Sequence, residues 1–156
     1  MTQYPEGLWW KKLKEEDLLE LSFLLAQKAL PAWNNFNHCA KIKKELRSLP
    51  ENSLKEIEAM IKGFQNSQKL NEHFNSFITP VIHIRDGYLK YPHEVKLAFL
   101  SVFHILHGLI STDVVSAKQA FSSAVSKAID SIKIAGILTA EEISMLTHKY
   151  YLLSME

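Results

Sequence analysis

Two histidines three residues apart, His104 and His107, are the side chains of this sequence best suited to chemistry. Residues at that spacing are neighbours on one helix face, and two imidazoles there could hold zinc or iron if other helices supplied further ligands. The available donors are His83, His93, Glu94, Asp113 and His148. Neither a His-Glu-x-x-His motif nor a Glu-x-x-His pair occurs. The pattern therefore favours structural histidines over a metal centre, and no cofactor is predicted.

Other catalytic arrangements find little support in the sequence. Cys39 directly follows His38, and adjacent residues on a helix point about 100° apart, which does not suit a Cys–His pair. No Gly-x-Ser-x-Gly elbow is present, and the five glycines stand alone, so no phosphate-binding loop is formed. Paired carboxylates occur at expected helix starts, where they serve capping and the helix dipole. We therefore predict a protein that is not an enzyme.

The composition is that of one globular domain spanning residues 1–156. Hydrophobic residues make up 47% of the chain, charged residues 22%, and the net charge is +1. Charges of both signs are spread evenly along the sequence, so the sequence does not predict a strongly charged partner. The single cysteine cannot form an internal disulfide, and the N-terminal sequence has no signal-peptide pattern. We expect a cytoplasmic protein.

An uncharged segment at residues 97–112 is the centre of the predicted fold. Its apolar residues would surround a helix on all sides, and such a helix must be covered by others. The segment is too short for a bilayer, which needs about 20 apolar residues, so no membrane span is predicted. The sequence therefore predicts an all-α class: a single compact domain of about seven or eight helices packed around a central apolar helix at residues 94–110.

Prolines and caps set the expected helix boundaries. Pro31 should end the first helix, and Pro50 should end a second one over 32–48. Ser53 and Glu56 have the form of a capping box for a third helix, and a fourth should run up to Pro80.

The later boundaries are predicted in the same way. Pro92 should open the central helix, and Asp113 should cap a long helix that ends before Gly136. Thr139 and Glu142 form a second capping box. Residues 79–91 allow either a short helix ending at Gly87, which we favour, or a hairpin that turns at Asp86–Gly87.

Large aromatic residues are concentrated near the N-terminus, beside charges of both signs. Trp9, Trp10, Trp33 and Phe36 could anchor an interface, as such residues commonly do. The alternative is that they cover one end of the core. The predicted partner-binding residues are Trp9, Trp10, Lys11, Lys12, Glu15, Glu16, Lys43, Lys44 and Arg47. The same patch could instead be a dimer contact.

The predicted function is binding another protein without catalysis. In its small size and plain composition the chain resembles the immunity proteins that neutralise bacterial toxins, although no motif of those families is present. The partner would then be a toxin domain. The alternatives are a metal-dependent enzyme or metal-binding bundle using His104 and His107, and a nucleic-acid-binding protein. Against nucleic acid, the helix–turn–helix outline near residue 140 begins its second helix with Glu141–Glu142, which would repel phosphate.

Overall fold

A computed structural model describes residues 8–36, 44–63, 67–85 and 91–156, and these residues are helical with no strand. A short 3-10 helix, η1 (Trp9–Lys12), precedes six α-helices: α1 (Glu15–Asn34), α2 (Lys44–Ile61), α3 (Ser67–Arg85), α4 (His93–Ile110), α5 (Val114–Ile134) and α6 (Ala140–Leu153). The all-α class is confirmed, and the predicted seven or eight helices are corrected to six α-helices over the described ranges.

The helix count is lower because three prolines lie inside helices that they were expected to end. Pro31 lies within α1, Pro50 within α2 and Pro80 within α3. A proline inside a helix removes one backbone hydrogen bond at a cost of about 3 kcal/mol. In α2 this cost is offset by the burial of Pro50 itself and of Leu54 and Ile57 in the turns that follow it.

The end of the predicted second helix and the predicted third helix therefore form one continuous helix, α2, on both sides of Pro50. Residues 32–34 end α1 and residues 44–48 begin α2, while 37–43 lie outside the described residues. The prediction that Ser53 and Glu56 form a capping box is wrong, because both residues lie inside α2. The Ser53 hydroxyl is buried and lies 3.0 Å from Nδ1 of His73 on α3, so it joins two helices.

The ambiguous segment is helical as far as it is described. Residues 79–85 continue α3, so the hairpin is wrong over that range. Gly87 and its neighbours at 86–90 lie outside the described residues. The boundaries predicted further on are confirmed: Pro92 precedes α4, Asp113 caps α5 by accepting from the Ser116 amide, and Thr139 caps α6.

The central helix α4 packs against α1, α2, α3 and α5. Its buried residues are Val95, Leu97, Ala98, Phe99, Leu100, Ser101, Val102, Ile105, Leu106 and Gly108. By length and composition α4 is also apolar enough to cross a membrane, a test that the core helix of a soluble protein passes equally. In this structure its apolar residues are covered by other helices, as the sequence predicted for residues 94–110.

The closest approach in the core is between α4 and α5. A Cβ added to Gly108 would lie 2.4 Å from Cε1 of Phe121, so no side chain fits between the two helices there. Small residues line the same contact on α5, where Ala117, Ala124 and Ala128 are buried. The Ser131 hydroxyl donates to the Glu94 carbonyl across the interface at 2.7 Å. The two helices are therefore held at a separation that only small residues allow.

We predict that Gly108→Ala destabilises the protein by about 1–3 kcal/mol, because the added methyl group must displace the Phe121 ring. Urea denaturation measures the change in the free energy of unfolding. The matched control is the same change in a Phe121→Leu background. Gly108→Ala should lower the free energy of unfolding less in that background than in the wild type, because the smaller side chain leaves room for the methyl group. Equal stability of Gly108→Ala and the wild type would contradict this account of the α4–α5 contact.

Candidate functional site

The two tryptophans of the predicted patch, Trp9 and Trp10, are buried in η1. Trp9 is 7% exposed and Trp10 is 4% exposed. The Trp10 indole N–H donates to the Ser122 hydroxyl on α5 at 3.1 Å, and Trp9 makes edge contacts with Trp10 and with Tyr151 on α6. These contacts agree with the alternative that the tryptophans cover the core. A part in partner binding stays a prediction, and it would require the rings to leave these contacts.

The other early aromatics lie at the opposite end of α1. Trp33 is fully buried, and its ring lies 4.8 Å from Phe99 and 5.6 Å from Tyr91 between centroids. Its indole N–H donates to the Arg47 carbonyl at 2.8 Å, which fixes the start of α2 against the end of α1. Phe36 also contacts Tyr91. The aromatic cluster seen in the sequence is therefore two clusters in space.

The charged residues of the predicted patch divide in the same way. Lys11, Lys12, Glu15 and Glu16 are exposed at the N-terminal end of α1. Lys44 and Arg47 are also exposed, but the Trp33–Arg47 contact places them at the C-terminal end. At 1.5 Å per residue the two ends of α1 are roughly 26–28 Å apart. Lys43 lies outside the described residues. The structure therefore does not bring the predicted residues into one cluster.

An open groove of about 430 Å³ lies on one side of the N-terminal end of α1. We call it the acidic groove, because Glu15 and Glu16 stand on its rim. Its lining residues are Lys14, Glu15, Glu16, Leu19, Met60, Gly108, Leu109, Ser111 and Phe121. The apolar residues come from α1, α2, α4 and α5, so four helices meet there. The close approach of Gly108 and Phe121 forms part of its wall.

A second open groove, of about 340 Å³, lies between η1, α1 and α5. We call it the basic groove, because its charged residues are Lys11 and Lys118. Leu18, Val115, Gln119 and Ser122 complete the lining. Ser122 is the residue that accepts the Trp10 indole hydrogen bond. The exposed N-terminal end of α1 therefore stands between two grooves with apolar residues in their walls, one with two glutamates and a lysine on its rim and the other with lysines only.

The histidine pair lies on α4, and neither histidine lines either groove. His107 is exposed and stacks on Phe74 and Phe103, with centroids 5.7 and 6.1 Å away. His104 is half-buried against the edge of Phe103. Burial, and after it the electrostatic effect of the neighbouring Lys127 and His107, together lower the pKa of His104 to about 4.

A metal centre would need more ligands than this pair. Within residues 8–36, 44–63, 67–85 and 91–156, no group of three or more His, Cys, Asp or Glu side chains is arranged to hold a metal ion. The positive charge of Lys127 near His104 also opposes a bound cation. The pair His38–Cys39 lies outside the described residues. Among the described side chains, the metal alternative is therefore left with His104 and His107 as its ligands, and no third ligand is arranged beside them.

No family model matches this chain, and neither a curated protein nor a solved structure matches it. A function must therefore be argued from the geometry of the described residues. Of the residues predicted from the sequence, Lys11, Glu15 and Glu16 line these grooves; the groove residues supplied by α2, α4 and α5 were not among those predicted. One signal could have pointed to the α5 side of the basic groove: Val115 lies in the first turn after the Asp113 cap, and it is exposed in the structure.

We predict that the protein loses stability in mild acid through His104. Its folded pKa of about 4 lies below the ordinary value of 6.5, so protonation favours the unfolded chain. Stability is complete above about pH 6.5 and falls as the pH drops toward 4, by about 2 kcal/mol between pH 7 and pH 5. Urea denaturation across this range measures the fall. His104→Gln should make it shallower, whereas His148→Gln, at an exposed position, should not; equal slopes in all three proteins would contradict the prediction.

We predict that Trp10→Ala destabilises the fold by about 3–5 kcal/mol, because it removes a buried ring from beneath η1. Trp10→Phe keeps most of the packing and loses the bond to Ser122, at a cost of about 1 kcal/mol. Chemical denaturation followed by circular dichroism distinguishes the two variants. A Trp10→Ala protein with the stability of the wild type and weakened partner binding would instead place Trp10 in the interface.

Proposed function

We propose that this protein binds another protein without catalysing a reaction, and that it is a bacterial protein of the immunity or antitoxin type that acts in the cytoplasm. In this proposal it neutralises a toxin by covering the toxin's active site. The observation that carries the proposal is the N-terminal end of α1, where exposed charges of both signs stand between two grooves. Protein interfaces commonly combine an apolar centre with a polar rim of this kind.

The arrangement of helices supports a binding surface at this end. The acidic groove is built by residues from four helices, including Leu19, Met60 and Leu109. Because these residues are held by the packing of α4 against its neighbours, the groove would need little ordering when a partner binds. A preformed surface loses less conformational entropy on association, which favours affinity.

The carboxylates on the rim would favour a partner with positive charge at the facing position. Glu15 and Glu16 are exposed in the first turn of α1, where they also interact favourably with the helix dipole. A basic residue of the partner facing them would be attracted during approach and would fix the orientation of the complex. Lys14 lies on the same rim, so the rim carries both signs of charge. Selectivity in this proposal comes from matching that pattern.

The test combines partner capture with a toxicity measurement. The reading frame directly upstream of the gene is expressed with and without this protein, and growth is followed. We expect growth arrest that the protein relieves, together with retention of the upstream product on the tagged protein. An upstream product that is harmless, or whose toxicity the protein does not relieve, would contradict the immunity-type function.

A pair of charge-reversed variants locates the surface. Glu15→Lys with Glu16→Lys should weaken capture by roughly tenfold or more, because two attractive rim contacts become repulsive. Lys44→Glu with Arg47→Glu is the matched control, since both residues are exposed at the far end of α1. Circular dichroism confirms that both variants fold. Equal loss in the two variants would show that the N-terminal end of α1 is not the specific contact.

A further inference from the structure

The basic groove differs in charge from the acidic groove and from three further grooves on the described residues. Each of those four has at least one glutamate in its lining, whereas the basic groove has two lysines and no carboxylate. Lys11 comes from η1 and Lys118 from α5, so two separate elements bring positive charge to the same opening. The positive charge is therefore a property of the folded protein and not of one basic stretch of sequence.

Neither lysine forms an ion pair with another described residue. The ion pairs found among the described residues, Lys62–Glu58 and Lys69–Glu56, involve neither Lys11 nor Lys118. The nearest helix cap, Asp113, accepts a hydrogen bond from the Ser116 amide at 2.8 Å and does not line the groove. No described carboxylate holds either ammonium group in an ion pair, and a carboxylate of a partner could pair with both.

The groove also offers apolar contact beside these charges. Val115 is 67% exposed at the rim and supplies this contact, whereas Leu18, also in the lining, is fully buried. The aliphatic stems of lysines can cover an apolar side chain while their charged ends stay in water. An occupant that matches this lining has an apolar side chain with negative charges on each side of it.

We propose that the basic groove binds an acidic segment of a partner protein, with one apolar side chain of that segment lying against Val115 and its flanking carboxylates paired with Lys11 and Lys118. This inference rests on the proposed protein-binding function and names the chemistry of the partner. A nucleic-acid backbone would satisfy the lysines but has no side chain for the apolar contact. The volume of about 340 Å³ lies within the range of small ligand sites, roughly 300–1,000 Å³.

The groove has a built-in spectroscopic reporter. The Trp10 indole N–H donates to Ser122, and Ser122 lines the groove. The chain has three tryptophans, and the indole of Trp33 is bonded to the Arg47 carbonyl at the other end of α1. In a nitrogen–proton correlation spectrum the Trp10 indole signal should therefore respond to an occupant while the Trp33 signal serves as the internal reference.

The experiment uses the full chain and two matched peptides. One peptide has a leucine flanked on each side by two glutamates, and the other has lysines in place of the glutamates. We expect the acidic peptide to shift the Trp10 indole signal in a saturable manner, and raised salt to weaken this binding. The lysine peptide should leave the signal in place. Equal shifts with both peptides, or a shift with neither, would overturn the proposal.

Variants and a polyanion complete the test. Lys11→Glu with Lys118→Glu should weaken binding of the acidic peptide by roughly tenfold or more, whereas Lys44→Glu with Arg47→Glu should keep the wild-type affinity. The milder Lys11→Gln with Lys118→Gln serves if charge reversal impairs folding. A single-stranded oligothymidine that shifts the Trp10 signal where the acidic peptide does not would overturn the proposal in favour of nucleic acid.

Two outcomes distinguish failure of the acidic-segment proposal from failure of the proposed protein-binding function. A captured partner whose binding is lost in the Glu15→Lys, Glu16→Lys protein but unchanged in the Lys11→Glu, Lys118→Glu protein would contradict the acidic segment and leave protein binding intact. Loss of the same partner in the Lys11→Glu, Lys118→Glu protein, with retention in the Lys44→Glu, Arg47→Glu protein, would support the acidic segment.

Discussion

The close approach of α4 and α5 is the constraint on which the rest of this structure depends. α4 is apolar on nearly every side, so it must be covered by other helices, and the absence of a side chain at Gly108 lets Phe121 pack against its backbone. Once α5 is fixed there, α1 packs against both helices, and α3 covers the Phe99 and Phe103 side through Phe77. The grooves lie at the margins of this packing, around the N-terminal end of α1.

Single hydrogen bonds between elements hold the periphery to this core. The Ser131 hydroxyl joins α5 to the start of α4, Ser53 joins α2 to α3, and the Trp10 indole joins η1 to α5. Each involves a buried or partly buried polar group, which would cost about 1–3 kcal/mol if left without a partner. These bonds therefore specify how the helices are placed, in addition to the burial of apolar surface that drives their association.

The sequence predicted the features that depend on local chemistry. Asp113 and Thr139 are caps, Gly136 adopts the left-handed backbone expected after a helix, and an apolar stretch becomes the covered helix α4. The errors at Pro31, Pro50 and Pro80 have a common physical origin: a local cost near 3 kcal/mol was outweighed by burial that only the folded chain provides. The candidate site was recovered in part, because Glu15 and Glu16 are adjacent in sequence. Lys118, Met60 and Leu109 reach the grooves through tertiary packing, for which one sequence without relatives gives no signal.

The length of α1 has a consequence for the size of a partner. A standard interface buries about 800 Å² on each protein, which is roughly 28 Å across if the footprint is square. That width matches the roughly 26–28 Å between the two charged ends of α1. A folded domain could therefore touch Lys11 and Arg47 in one complex only by lying along the whole helix. A short segment seated in one groove would cover one end and leave the other accessible to a second protein.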